Sequence, residues 1–259
     1  MDHLMRMRLF AAGVHLLINV MVGIIVFCLI YFLWYPGAYF YLASGKQIFL
    51  LLLACDIVLG PLLTLVVFNV AKPRTELRRD LMVVACLQIA ALFYGLHVMF
   101  EARPLYIVFN RDQFNVVAAN EISDEQSKDL FSVKQLRSFF GPQIVGIKEP
   151  EKLEERNAIL FSAVVGGADI INMPKYFIPF NQAQNEVRQR AVSAKIFAEK
   201  NKANVENLEL IEKKYAAADT PIGFVPVVLK SRFKYAAGIV ALDSGNLLSV
   251  EPVTDNTSH

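Results

Sequence analysis

Three long apolar runs in the first 100 residues decide what this chain can fold into. Between Leu9 and about Tyr35 no residue is charged, apart from a possible His15, so the run is about 26 residues long where about 20 cross a bilayer. Ile48–Val70 forms a second run, broken only by Asp56, and Leu81–Phe100 a third. Spans of about 9–35, 48–70 and 81–100 joined by short connections make an antiparallel trio. Arg6 and Arg8 precede the first span as they would a signal peptide, but its apolar core is about twice as long as an h-region and lacks a small-residue cleavage site. It reads as an anchor. Trp34, Tyr35, Tyr39 and Tyr41 sit where an aromatic belt belongs. The hydrophobic share of 55%, the charged share of 19% and a mean hydropathy of +0.40 agree with a chain that partly faces lipid.

The short loops set the expected orientation, because cytoplasmic loops carry an excess of Lys and Arg. Arg6 and Arg8 precede the first span, Lys46 stands alone in the first loop, and Lys72, Arg74, Arg78 and Arg79 fill the second. The N-terminus and second loop are therefore expected inside. The first loop and everything after Arg103 are expected outside, in the periplasm of a Gram-negative inner membrane. From Glu101 onward 19 basic residues meet 20 acidic ones, which is no nucleic-acid footprint. Cys28, Cys55 and Cys86 all lie in apolar runs, so there is no disulfide framework and no CxxC pair.

Within the spans, polar and small residues recur at helical spacing. His15, Asn19 and Gly23 share one face of the first, Asp56, Gly60 and Thr64 one face of the second, and Gln88, Ala91 and Gly95 a similar stripe of the third. These stripes are expected to face each other, since small residues allow close approach and polar ones bond across helices. Asp56 lies near mid-membrane, where a carboxylate must be protonated or paired; Asn19 and Gln88 are its expected neighbours. Pro61 follows Gly60 in mid-helix, and its missing N–H should bend the span just beyond Asp56. Asp56, Gly60, Pro61, Thr64, Asn19 and Gln88 are thus the candidate site, either an intramembrane polar network or a contact for a partner helix.

Residues 104–259 are long enough for an independent core and read as an α+β domain. Tyr106–Asn110 and Phe114–Asn120 are expected as a hairpin around Asn110-Arg111-Asp112. A capping-box pattern at Ser123–Gln126 suggests a short helix to about Phe131. Further helices are expected over 149–165, 181–201 and 204–217. Closing strands at 222–229 and 238–250 follow, the latter folding back at Asp243-Ser-Gly-Asn246. No catalytic, cofactor or metal site is expected: this domain's only histidine is His259, it has no cysteine, and no GxSxG or Walker-type loop occurs. One acid within the spans is too few for an intramembrane aspartyl protease, and three helices make a thin transport pathway.

The segment Asp56-Ile-Val-Leu-Gly60-Pro61-Leu-Leu-Thr64-Leu, then Lys72, Glu76-Leu77, Asp80, Gln88, Tyr94-Gly95, Arg103-Pro104 and the stretch Tyr106–Glu121, resembles the TfpX/TfpZ type IV pilin accessory proteins. The likeness runs to about residue 122 and is sparse afterwards, with Gly141-Pro142 and Leu242-Asp243-Ser244-Gly245 as weaker marks. It implies an inner-membrane protein that acts beside a cognate type IV major pilin, as a helper or modulator of pilus assembly and not as an enzyme. The alternative is a periplasmic ligand-sensing membrane protein that signals through a partner, since the cytoplasmic parts offer no output of their own.

Overall fold

The computed structural model describes residues 3–69, 71–122, 141–229 and 234–253. The chain divides into two compact units, one of Met1–Leu33 with Ser44–Glu101, the other of Trp34–Ala43 with Ala102–His259.

The first unit is a bundle of three helices long and apolar enough to cross a membrane. They cover Met5–Trp34, Gly45–Val67 and Arg74–Glu101. The first consists of α1 (His3–Leu29) and a π turn (Ile30–Trp34), the second of α3 (Gly45–Ala54), a π turn (Cys55–Leu59) and α4 (Gly60–Val67), and the third is α5 (Arg74–Glu101). The second begins and ends about three residues earlier than charge alone suggested, stopping at Phe68, whose extended backbone ends the helix. At its far end Lys72 pairs with Asp80 at 2.7 Å, closing the connection to α5. Glycines set how closely the helices approach. A Cβ at Gly23 would come within 2.6 Å of Leu53 Cδ1, and one at Gly95 would collide with Leu52. Phe27 of α1 packs on Phe49 of α3, ring centroids 5.3 Å apart.

The second unit is α+β, as expected. Its seven-stranded mixed sheet runs β4-β3-β1-β2-β5-β6-β7, with β1 Pro104–Asn110, β2 Gln113–Ala118, β3 Gln143–Ile147, β4 Phe177–Pro179, β5 Ile222–Leu229, β6 Lys234–Ala241 and β7 Leu247–Pro252. The β1–β2 hairpin turns where Asn110-Arg111-Asp112 placed it, with Arg111 at φ 62°. The closing hairpin turns through Asp243–Asn246. There Asp243 Oδ1 accepts from the Ser244 N–H at 2.6 Å, and Gly245 adopts φ 76° against the backbone of Gln184, where a side chain would clash. The helix suggested by the capping box at 123–126 lies outside the described residues.

Two expectations change. The helix expected over 149–165 begins only at Leu153 (α6, Leu153–Val164). That over 181–201 is two helices, α7 (Gln184–Arg190) and α8 (Ala194–Asn201), separated by an extended Val192. The cause of this break is tertiary. Phe224 on β5 exchanges both backbone hydrogen bonds with Val192, at 2.8 and 3.0 Å, which satisfies a strand edge otherwise left bare. Beyond it stands Pro226, which has no N–H to give, and pairing with β2 begins only at Val227. Ala194, Phe197 and Ala198 of α8 and Leu208 of α9 (Val205–Ala216) then cover Ile222, Phe224, Ala237 and Ile239 of β5 and β6. Leu105, Tyr106, Val108, Val117 and Ile171 form a second core cluster.

Residues Trp34–Ala43 belong to this unit too. Their short helix α2 (Ala38–Leu42) packs against β6 and β7, and Trp34, Tyr35 and Leu42 are buried. Trp34 and Tyr35, expected in an aromatic belt, are instead core residues of the α+β unit.

Candidate functional site

The candidate residues converge inside the bundle. Asn19 of α1 donates through Nδ2 to the backbone carbonyl of Asp56 at 2.5 Å, and Gln88 of α5 reaches the same oxygen through Nε2 at 3.4 Å. One helical turn from Asn19, His15 Nδ1 meets Thr64 Oγ1 at 2.5 Å. Thr64 is buried. Gly60 lies against both amides, so closely that a Cβ there would collide with Gln88 and come within 2.7 Å of Asn19.

The sequence placed these amides at the Asp56 carboxylate; the structure places them at its backbone carbonyl. Pro61 supplies the reason. In an α-helix the Asp56 carbonyl would accept from the Gly60 N–H, and in the wider π turn from the residue five positions on. That residue is Pro61, which has no N–H. The span widens through Cys55–Leu59 just before the proline, and the carbonyl turns to side chains of the neighbouring helices. An unmet carbonyl in hydrocarbon costs on the order of several kcal/mol, so Asn19 and Gln88 replace what the backbone lost. His15 belongs to this ladder through the i, i+4 spacing it shares with Asn19. The Asp56 carboxylate is half-buried, and among the described residues no hydrogen bond reaches it. Asp56 precedes the buried Gly60 by four residues, and Val58 and Leu59 between them are exposed.

In the α+β unit two hollows stand out. One, of about 340 Å³, is lined by Ile159, Leu160 and Val164 of α6 together with Asn110 and Arg111 of the first hairpin; on its rim Arg111 and Arg156 both pair with Glu149. The other, of about 400 Å³, lies between Pro36–Tyr39 and strands β1, β3 and β7. Burial there pushes the Tyr39 phenol well above its ordinary pKa. Neither combines a nucleophile with a base. Among the described residues no group of three or more His, Cys, Asp or Glu could hold a metal ion.

Fold and site together define a protein of three apolar, membrane-length helices with an appended α+β unit, whose polar residues within the bundle brace the helices. The family model described as Fimbrial assembly protein FimB matches residues 3–44, the first span and the connection that joins the α+β unit. Three curated relatives from Dichelobacter nodosus are similar along more of the chain. The fimbrial assembly protein of serogroup I is 29% identical over 187 residues, covering 71% of this chain and 72% of that protein. That of serogroup E1 is 27% identical over 225 residues, 85% and 87% respectively. That of serogroups C1 and C2 is 32% identical over 117 residues, 44% of this chain and 89% of the relative. The chain belongs to the fimbrial assembly protein family. No solved structure matches it.

Proposed function

We propose that this protein acts in fimbrial assembly as a non-enzymatic inner-membrane accessory of the type IV pilus system, of the TfpX/TfpZ kind, whose bundle receives the apolar helix of a cognate major pilin. The names of its relatives support the first part. The observation that carries the second is the half-buried Asp56, whose neighbours' amides are already committed to the backbone. A carboxyl group in hydrocarbon calls for a donor, and a partner helix that brings one gains a bond there. Gly60 lets the Asn19 and Gln88 amides close on that backbone, so neither is left to serve the carboxylate. The grouping of Trp34–Ala43 with Ala102–His259 supports a shared compartment for the first loop and the α+β unit. Loop charge supports the periplasm as that compartment.

Photo-crosslinking from Val58, Leu59 and Leu62, exposed residues around Asp56, tests the reading in living cells. The fimbrial subunit should be captured, and Asp56→Ala should cut both capture and surface fimbriae about tenfold, one factor of ten being about 1.4 kcal/mol, while chain abundance stays constant. Equal capture of unrelated membrane proteins would defeat the proposal.

A further inference from the structure

The third span raises a question the polar seam does not answer. If lipid alone covered the outer surfaces, the span least buried by the protein should be the most apolar. The order is the reverse. Within the apolar stretch of each helix, hydropathy falls from the first span to the third, and so does the share of that stretch buried by the chain. The third span therefore offers the greatest share of surface and the least apolar one.

Its polarity is not spread evenly. Gln88 and Gly95 point to the other helices, since Gln88 bonds to Asp56 and Gly95 lies against Leu52. On the opposite side of α5 lie Cys86, Ala90, Tyr94 and His97, spaced i, i+4, i+8 and i+11 and hence one stripe. All four are exposed, Tyr94 at 71%. Polar side chains within spans normally face protein, yet among the described residues no hydrogen bond is made by Tyr94 or His97.

We propose that this stripe is a self-association surface that joins two copies of the chain through their third spans. Copies inserted with the same topology run parallel, so each residue of the stripe meets its counterpart at equal depth, as a two-fold interface requires. Tyr94 carries a hydroxyl donor and His97 a ring nitrogen acceptor less than one turn away. Each helix thus presents the complement of the other's groups, and two Tyr94-to-His97 bonds form across the axis. Ala90, between Cys86 and Tyr94, lets the backbones approach. Arg79 and Glu101 extend the stripe at its two ends, where water and salt screen the repulsion between like charges. The inference does not depend on what Asp56 binds.

Cysteine scanning in native membranes tests it. In the full chain carrying Cys28→Ala and Cys55→Ala, and Cys86→Ala as well in every variant but the one that tests position 86, single cysteines at 85, 86, 87, 89 and 90 are oxidised with copper phenanthroline. Disulfide-linked dimer at twice the 29.1 kDa chain mass should appear at 86 and 90, with at least fivefold lower yield at 85, 87 and 89. Yield at the strong positions should survive tenfold lipid dilution after reconstitution. Tyr94→Phe with Cys86 retained should lower it several-fold, which a stripe that packs by shape alone would not show. Equal yields at all five positions, loss of dimer on dilution, or linkage only to a different protein would each overturn the proposal.

Discussion

The two units distribute polarity in opposite ways. In the bundle the side chains that meet between helices include His15, Asn19, Thr64 and Gln88, while Leu51, Leu59 and Val66 face outward. In the α+β unit Phe114, Val117, Phe197 and Phe224 meet inside, and Arg111, Glu149, Arg156 and Lys175 form ion pairs at the surface. The difference follows from the solvent. Lipid is as apolar as leucine, so helices in it gain little from hiding leucine and more from small residues and hydrogen bonds. Water makes burial of apolar area the main driving force. Equal exposure therefore means different things in the two units, and substitutions should show it.

The largest expected effect is in the α+β core. Phe224 is fully buried, its ring 5.9 Å from that of Phe197, so Phe224→Ala should cost about 3–5 kcal/mol. Trp34 is the chain's one tryptophan and belongs to the same unit, which makes its fluorescence a local reporter of urea unfolding in the detergent-solubilised full chain. A change under about 1 kcal/mol would mean this cluster is not the core. Next comes a matched pair. Leu59 is 54% exposed and Leu210 63%, yet Leu59→Asp should cost about 2.5–3.5 kcal/mol of membrane insertion. Leu210→Asp should move the Trp34-reported stability by no more than about 0.5 kcal/mol. Similar penalties at both positions, read by carbonate extraction and by urea midpoint, would erase the contrast between the units.

Much of this contrast was legible in the residues themselves. A span must be apolar throughout, so its sequence announces it, and the i, i+4 stripes identified Asn19, Asp56 and Gln88 as neighbours before any coordinates. What the stripes missed was the atom involved. The answer lay in the five-residue interval from Asp56 to Pro61, which matters only once the turn has widened. In the α+β unit local turn chemistry marked both hairpins, whereas β3, with five residues, and β4, with three, are too short to announce themselves. The break at Val192 depends on Phe224, far along the chain, and no local pattern encodes it. Trp34 and Tyr35 misled because an aromatic belt and a buried core select the same residue types.

The smallest expected effect sharpens the comparison at the surface of the α+β unit. Tyr176 donates a hydrogen bond to Glu155 Oε1, Lys175 approaches the same oxygen at 3.4 Å, and its ammonium lies 4.7 Å from the centre of the Tyr176 ring. The Tyr176 hydroxyl first, and the Lys175 charge after it, hold the Glu155 carboxyl below the usual glutamate range. A carboxyl with a depressed folded pKa contributes stability that is present above its unfolded value, about 4.3, and is lost as pH falls through the folded value. Tyr176→Phe should therefore lower the urea midpoint slightly at pH 6, and the gap from the parent chain should close as the pH is taken below about 4. Because the Lys175–Glu155 pair is solvent-facing and present in both chains, salt should weaken it in both and leave most of the gap in place. A gap that persisted unchanged at low pH would assign the effect of Tyr176 to packing and not to its bond with Glu155.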